Sequence, residues 1–97
     1  MNDNFYTIPQ YIASKGSLLD KIKAYDAIIS GMETAYLEAV TSGHLDEYQM
    51  DDGQMKVRAK YRSISDMNTA IQGLEQIRQR YINQYNGRVS VMRGGNI

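Results

Sequence analysis

One segment, Glu47–Arg62, constrains the fold of this chain more than any other part of it. The segment reads EYQMDDGQMKVRAKYR. Its central dipeptide, Asp52-Gly53, is typical of a two-residue type I′ turn, because both central residues of that turn need positive φ. The turn predicts an antiparallel β-hairpin in which Met50 pairs with Met55.

The two faces of the predicted hairpin differ in character because strand side chains alternate between faces. The apolar face holds Tyr48, Met50, Met55, Val57, Ala59 and Tyr61. The polar face holds Glu47, Gln49, Lys56, Arg58, Lys60 and Arg62. We expect the apolar face to cover helices and the polar face to meet water or a charged partner. Glu47 lies opposite Arg58 in this register, which predicts a cross-strand ion pair.

The composition indicates one small domain, since 97 residues leave no room for a second core. Tyr (8) and Met (6) supply much of the apolar volume, and both residue types are common at subunit interfaces. The lack of cysteine excludes disulfides and thiolate chemistry. No apolar run has the length of a membrane helix, and the N-terminus lacks the basic region of a signal peptide. We therefore expect a soluble product made in the cytoplasm.

No cluster of residues indicates catalysis or metal binding. His44 is the only histidine, and we expect it to be solvated at the end of a helix. The pairs Asp46-Glu47 and Asp51-Asp52 lack the spacing of a calcium-binding loop and are assigned to a strand edge and a turn. The sequence therefore predicts a non-enzymatic protein without cofactor or metal.

Charge is distributed unevenly along the chain, although the net charge is zero. Residues 1–55 carry three bases and nine acids, whereas residues 56–97 carry eight bases and two acids. Such asymmetry suggests an acidic or nucleic-acid partner, or head-to-tail packing of identical subunits. Neutralisation between the two halves of one chain is an equally good interpretation.

The first predicted helix begins after Ser17, a suitable N-cap residue with Asp20 three positions later. Apolar residues then recur at three- and four-residue steps until Gly43, which is predicted to be the residue that ends the helix. This helix has six to seven turns. Gly31 lies near its middle and is a possible position for a bend or interruption.

The second predicted helix follows the hairpin. Its N-cap is Ser63, with Asp66 at the spacing of a capping box, or alternatively Ser65. An apolar stripe continues to Tyr85, and Gly87 is predicted to end the helix. The domain formed by the two helices and the hairpin is thus expected to span residues 17–87.

Both ends of the chain lie outside this predicted domain. Residues 1–16 are expected to form an irregular, tyrosine-rich arm that docks on the domain's own core or on a neighbouring subunit. Residues 88–97 form a basic tail in which Val89, Val91 and Met92 add a short strand or pack on a partner. The predicted fold class is α+β, with two helices, an intervening two-stranded antiparallel hairpin, an N-terminal arm and a C-terminal tail.

The segment Tyr48–Arg93 resembles the gpW-like head-to-tail joining proteins of lambdoid phages. The similarity lies in the DDGQ turn, the basic strand MKVRAKY, the helix start RSISDM and the tail RVSVMRGG. The N-terminal arm and the longer first helix depart from that family's pattern. The resemblance implies a virion protein that forms a ring under the portal after DNA packaging, helps to retain the DNA and supports attachment of the tail or of the next adaptor.

The resemblance and the basic patches together predict a partner interface, with the tail as the segment that docks on the portal. The predicted interface residues are Lys56, Arg58, Lys60, Arg62, Arg88, Val89, Val91, Met92 and Arg93. The expected partners are the portal or a neighbouring neck or tail adaptor and identical subunits, with possible contact to packaged DNA. We expect no membrane contact and no small-molecule substrate.

A different function class stays open. The basic hairpin face and the tail also suit a small nucleic-acid-binding regulator. The near-neutral isoelectric point, the scarcity of aromatic residues on the basic face and the lack of a helix-turn-helix pattern disfavour that alternative.

Overall fold

A computed structural model describes residues 5–51, 53 and 56–94, with side chains described as far as residue 87. The elements in chain order are β1 (Phe5–Tyr6), α1 (Ile8–Ala13), α2 (Leu18–Ser42), β2 (Tyr48–Asp51), β3 (Lys56–Ala59) and α3 (Ile64–Gly94). The fold class is α+β, as predicted. In detail the described residues contain three helices and one mixed three-stranded sheet, whereas the prediction had two helices and two strands.

The predicted antiparallel pairing of β2 and β3 is confirmed, but its register is different. Met50 pairs with Val57 instead of Met55, and Asp51 pairs with Lys56, so that four residues separate the strands. The Asp51 carboxylate accepts a hydrogen bond from the Gly53 N–H at 2.9 Å, an Asx-type contact that the two-residue turn prediction did not include. Because partners shift by two positions, every strand residue keeps its predicted face.

The prediction of an irregular N-terminal arm is wrong for residues 5–13. Tyr6 pairs in parallel with Val57, which places β3 at the centre of the sheet in the order β1-β3-β2. Thr7 and Gln10 then form a reciprocal capping box with Pro9 in the first turn, and these signals start α1. The buried residues of α1 join the chain's own core: Ile8, Tyr11 and Ile12.

Both termini of α2 are as predicted. The Ser17 hydroxyl accepts a hydrogen bond from the Asp20 N–H at 3.1 Å. At the other end Gly43 has φ +75°, and its N–H bonds the Ala39 carbonyl at 2.8 Å. The helix continues without interruption through Gly31.

The start of α3 is as predicted and its end is not. The Ser63 hydroxyl accepts a hydrogen bond from the Asp66 N–H at 3.0 Å, so Ser63 is the N-cap. The helix then passes Gly87 and reaches Gly94, where a tail with a short strand was expected. A glycine inside a helix costs about 1 kcal/mol relative to alanine but does not end it by itself.

The core lies between the long helices α2 and α3 on one side and the sheet with α1 on the other. The rings of Tyr25 and Tyr81 pack with centroids 5.6 Å apart, while Tyr36 and Ile71 line one shared cavity, so α2 and α3 run antiparallel. The most deeply buried side chains are Ile28, Met32, Val57 and Met67. Within the described residues, no helix combines the length and the apolar character needed to cross a membrane.

Candidate partner-binding surface

The outer face of the sheet carries the predicted basic side chains. Lys56 and Arg58 of β3 are exposed on this face, beside Gln49 of β2. On the inner face Tyr48 and Val57 are buried against the helices. The predicted separation of a polar and an apolar face is therefore confirmed for the residues of β2 and β3, while Met55 of the predicted apolar face lies outside the described residues.

The Arg58 side chain already contacts other residues of its own chain. Its Nε lies 3.2 Å from Oε2 of Glu47, which confirms the predicted ion pair, although Gln49 is the residue directly opposite. Its guanidinium carbon also lies 4.4 Å from the centre of the Phe5 ring, and the Lys56 ammonium is 5.8 Å from the same ring. The contribution of Phe5 was missed because residues 1–16 were not expected to join the sheet.

Lys60 and Arg62 are the more available basic residues of the predicted interface. Both are exposed in the connection between β3 and α3, and neither forms an ion pair within the described part of the chain. An exposed basic side chain that forms no ion pair within its own chain can pair with an acidic group of another molecule without breaking an internal contact. These two residues are therefore the better candidates for an intermolecular contact.

The C-terminal part of the predicted interface lies in the last turns of α3. Its members are Arg88, Val89, Val91, Met92 and Arg93, whose backbone is helical and whose side chains are outside the described part. A helix rises 1.5 Å per residue, so the start of α3 at Ile64 and Arg88 are about 36 Å apart. Arg62 and Arg88 thus do not form one patch, and the predicted interface consists of two separate surfaces.

Ion pairs between the acidic and basic halves of the chain are present. Arg78 Nε donates to Oδ1 of Asp26 between α3 and α2, and Glu47 holds Arg58. Internal neutralisation therefore accounts for part of the charge asymmetry. His44 is exposed beyond the end of α2, with Nε2 2.8 Å from Oδ1 of Asp46, which agrees with a solvated histidine.

A groove between α2 and β2 was not predicted from the sequence. Its volume is about 560 Å³. Small residues line its helical side, among them Ala27, Gly31 and Thr34, and the side chains of Glu38, Asp46, Glu47, Tyr48 and Gln49 line the rest. The spacing of small residues at 27, 31 and 34 was the available signal, but a sequence alone does not show which element faces them.

Tyr48 sits at the floor of this groove in an unusual environment. Its side chain is 5% exposed, and its hydroxyl is buried without a hydrogen-bond partner. A Cβ atom on Gly31 would lie 2.8 Å from that hydroxyl, so glycine is needed for the ring to approach α2. Burial raises the pKa of Tyr48 to about 12, and the nearby Tyr11 and Tyr61 phenols add to the shift.

In the part of the chain that the structure describes, His, Asp and Glu side chains form no group of three or more suited to a metal ion. Comparison with protein-family models, with curated proteins and with solved structures finds no significant match to this chain.

Proposed function

We propose that this chain is a non-enzymatic structural protein of a phage virion, a connector that forms a ring below the portal. In that position it helps to retain the packaged DNA and supports attachment of the tail. The proposal starts from the resemblance of Tyr48–Arg93 to gpW-like joining proteins. The observation that best supports it is a hairpin between two capped helices, with its apolar face buried and its basic face exposed.

Two basic surfaces provide the proposed contacts. The first contains Lys56, Lys60 and Arg62 at the sheet and its exit, and the second is the C-terminal end of α3 with Arg88 and Arg93. A ring places each subunit between two identical neighbours and above or below a different protein. Two separate surfaces on one small chain match that requirement, since one can meet the next copy and the other the portal or an adaptor.

The proposal is tested by mixing the purified chain with purified portal and examining the product by electron microscopy. We expect rings on the portal. The double substitution Lys60→Glu/Arg62→Glu should abolish this association and leave the thermal unfolding midpoint unchanged, because both side chains are exposed. Lys23→Glu/Arg80→Glu is a matched control with the same change of charge at exposed helix positions, and it should still bind.

The competing function predicts a different result. A nucleic-acid-binding regulator would bind duplex DNA as a monomer at sub-micromolar concentration, with affinity that falls steeply as salt increases. That result, together with no association with the portal, would replace the connector proposal. We expect the isolated chain to show no such salt-sensitive affinity for DNA.

A further inference from the structure

We propose that the groove between α2 and β2 receives residues 88–93 of a neighbouring copy as an added strand. This inference deepens the proposed function, on which it rests, by assigning the contact between copies in the ring. It gives the C-terminal segment to a sister subunit, whereas the sequence-based expectation gave it to the portal. Four observations support it: the position of β2, the small residues of α2, the charge of the groove and the reach of α3.

The first observation is that β2 is an edge strand. The sheet order β1-β3-β2 leaves one side of Tyr48–Asp51 without a strand neighbour. No described backbone group outside the sheet bonds to β2. Open edges of this kind accept extended segments through main-chain hydrogen bonds. The open edge of β2 borders the groove, which has a volume of about 560 Å³.

The second observation is the row of small residues on α2. Ala27, Gly31 and Thr34 line the helical side of the groove, so the backbone of an added strand can approach the helix closely there.

The third observation is complementarity of charge and side-chain size. Three acidic residues line the groove, namely Glu38, Asp46, which pairs with His44, and Glu47, which pairs with Arg58. The segment RVSVMR contains two arginines and no acid. In an extended conformation Val89, Val91 and Arg93 share one face. The two valines on that face would lie over the small residues of α2, while Arg88 on the other face would lie beside Gln49 and Asp51 of β2.

The fourth observation concerns reach, which requires the segment to come from a second copy. The packing of Tyr25 against Tyr81 in antiparallel helices places Leu18, where α2 begins, level with Arg88. Residues 89–94 therefore continue α3 past the N-terminal end of α2, whereas the groove extends toward the opposite end at Ser42. The contact joins the end of α3 in one copy to the groove of the next copy. Such a head-to-tail arrangement gives a ring when the rotation between copies closes.

The contact requires residues 88–93 to change from helix to strand, and their composition favours that change. Valine, serine and glycine each favour a helix less than alanine does, by up to about 1 kcal/mol. The segment from Gly87 to Gly94 contains Val89, Ser90 and Val91 between two glycines. Main-chain hydrogen bonds to β2 replace those that the last turns of α3 give up.

The test uses two variants that each lack one half of the contact. Deletion of residues 88–97 removes the donor and leaves the groove. Thr34→Trp fills the groove from an exposed helix position and leaves the donor. The matched control is Thr69→Trp, because Thr34 and Thr69 are both exposed and both donate to the carbonyl four residues earlier, at 3.2 and 3.1 Å. Mass is measured by light scattering during size-exclusion chromatography.

We expect the full chain and Thr69→Trp to exceed the monomer mass of 11.0 kDa as concentration rises. Each of the two half-contact variants should remain monomeric, and their equimolar mixture should form a one-to-one dimer. Amide exchange at Tyr48–Asp51 should slow in that mixture. A full chain that stays monomeric, a truncated chain that still assembles, or a mixture that gives no dimer would overturn the inference. If the truncated chain nevertheless decorates the portal, the connector function stands without it.

Discussion

The inner and outer faces of the sheet are built from alternate residues of the same short strands, and they behave differently. On the inner face Val57 is fully buried and Tyr48 is 5% exposed. On the outer face Arg58 forms an ion pair with Glu47 and lies over the Phe5 ring, and its side chain is 47% exposed. Burial of apolar area contributes far more free energy than an exposed ion pair. The inner face therefore holds the fold together, and the outer face is free to change its partners.

The largest effect on stability is expected for Val57→Ala. The substitution removes two methyl groups from a position with no solvent exposure, and it should lower the free energy of unfolding by about 2–3 kcal/mol. Val40→Ala is the matched control at a side chain that is 54% exposed, and it should change stability by less than about 0.5 kcal/mol. Urea unfolding measures both, and equal effects would contradict the assignment of the inner face.

The next effect is expected for Gly31→Ala. Its Cβ would lie 2.8 Å from the Tyr48 hydroxyl, and overpacking of this kind costs about 1–3 kcal/mol, more than the roughly 1 kcal/mol that alanine adds to helix stability. In a Tyr48→Phe background the cost should fall but not vanish, because two ring carbons would still lie 3.0 and 3.3 Å from the new Cβ. Gly73→Ala, with no atom within 4 Å of the new Cβ, should stabilise the chain. If Gly73→Ala also destabilised the chain, the effect of Gly31→Ala would come from replacing a glycine within a helix and not from contact with Tyr48.

A third effect depends on pH. Because the pKa of Tyr48 is raised to about 12 in the folded chain, unfolding at high pH releases a phenol that ionises near 10. Ionisation of Tyr48 should therefore not change the free energy of unfolding below about pH 10. It should lower that free energy as the pH rises from about 10 toward 12. Tyr48→Phe should reduce that slope and leave part of it, since burial also raises the pKa values of Tyr25 and Tyr61. An unchanged slope would exclude Tyr48 as its source.

The smallest effect is expected for Arg58→Ala on the outer face. Loss of its contacts with Glu47 and Phe5 should cost less than about 1 kcal/mol, and the cost should shrink in high salt. Lys60→Ala, an exposed residue of the same face, should have no measurable effect on unfolding. If Arg58→Ala lowered the free energy of unfolding more than Val57→Ala does, the outer face would contribute more to stability than the inner face, contrary to our assignment.

Local signals accounted for the parts of the fold that were predicted. Ser17 and Gly43 mark the ends of α2 because a hydroxyl and a left-handed glycine satisfy helix ends wherever they occur. Alternation between Lys56 and Ala59 assigned the faces of β3 because the period of a strand is two residues. Each of these depends on neighbours in sequence.

The parts that were missed depend on distant neighbours. Phe5 and Tyr6 form a strand because β3 lies beside them, and no signal within residues 1–16 predicts that pairing. The role of Gly31 similarly depends on Tyr48, which is far away in sequence. The continuation of α3 past Gly87 is a different failure, because a weak local stop signal was given too much weight.

The parallel pairing of β1 with β3 has a consequence for how the chain is made. Phe5 pairs with Lys56, 51 residues later, so β1 leaves the ribosome well before the strand with which it pairs. At synthesis rates of 5–20 residues per second the delay is roughly 3–10 s. During that interval the apolar side chains of Ile8, Tyr11 and Ile12 have no sheet to cover. These side chains can therefore pack on the sheet only after Val57 has emerged from the ribosome.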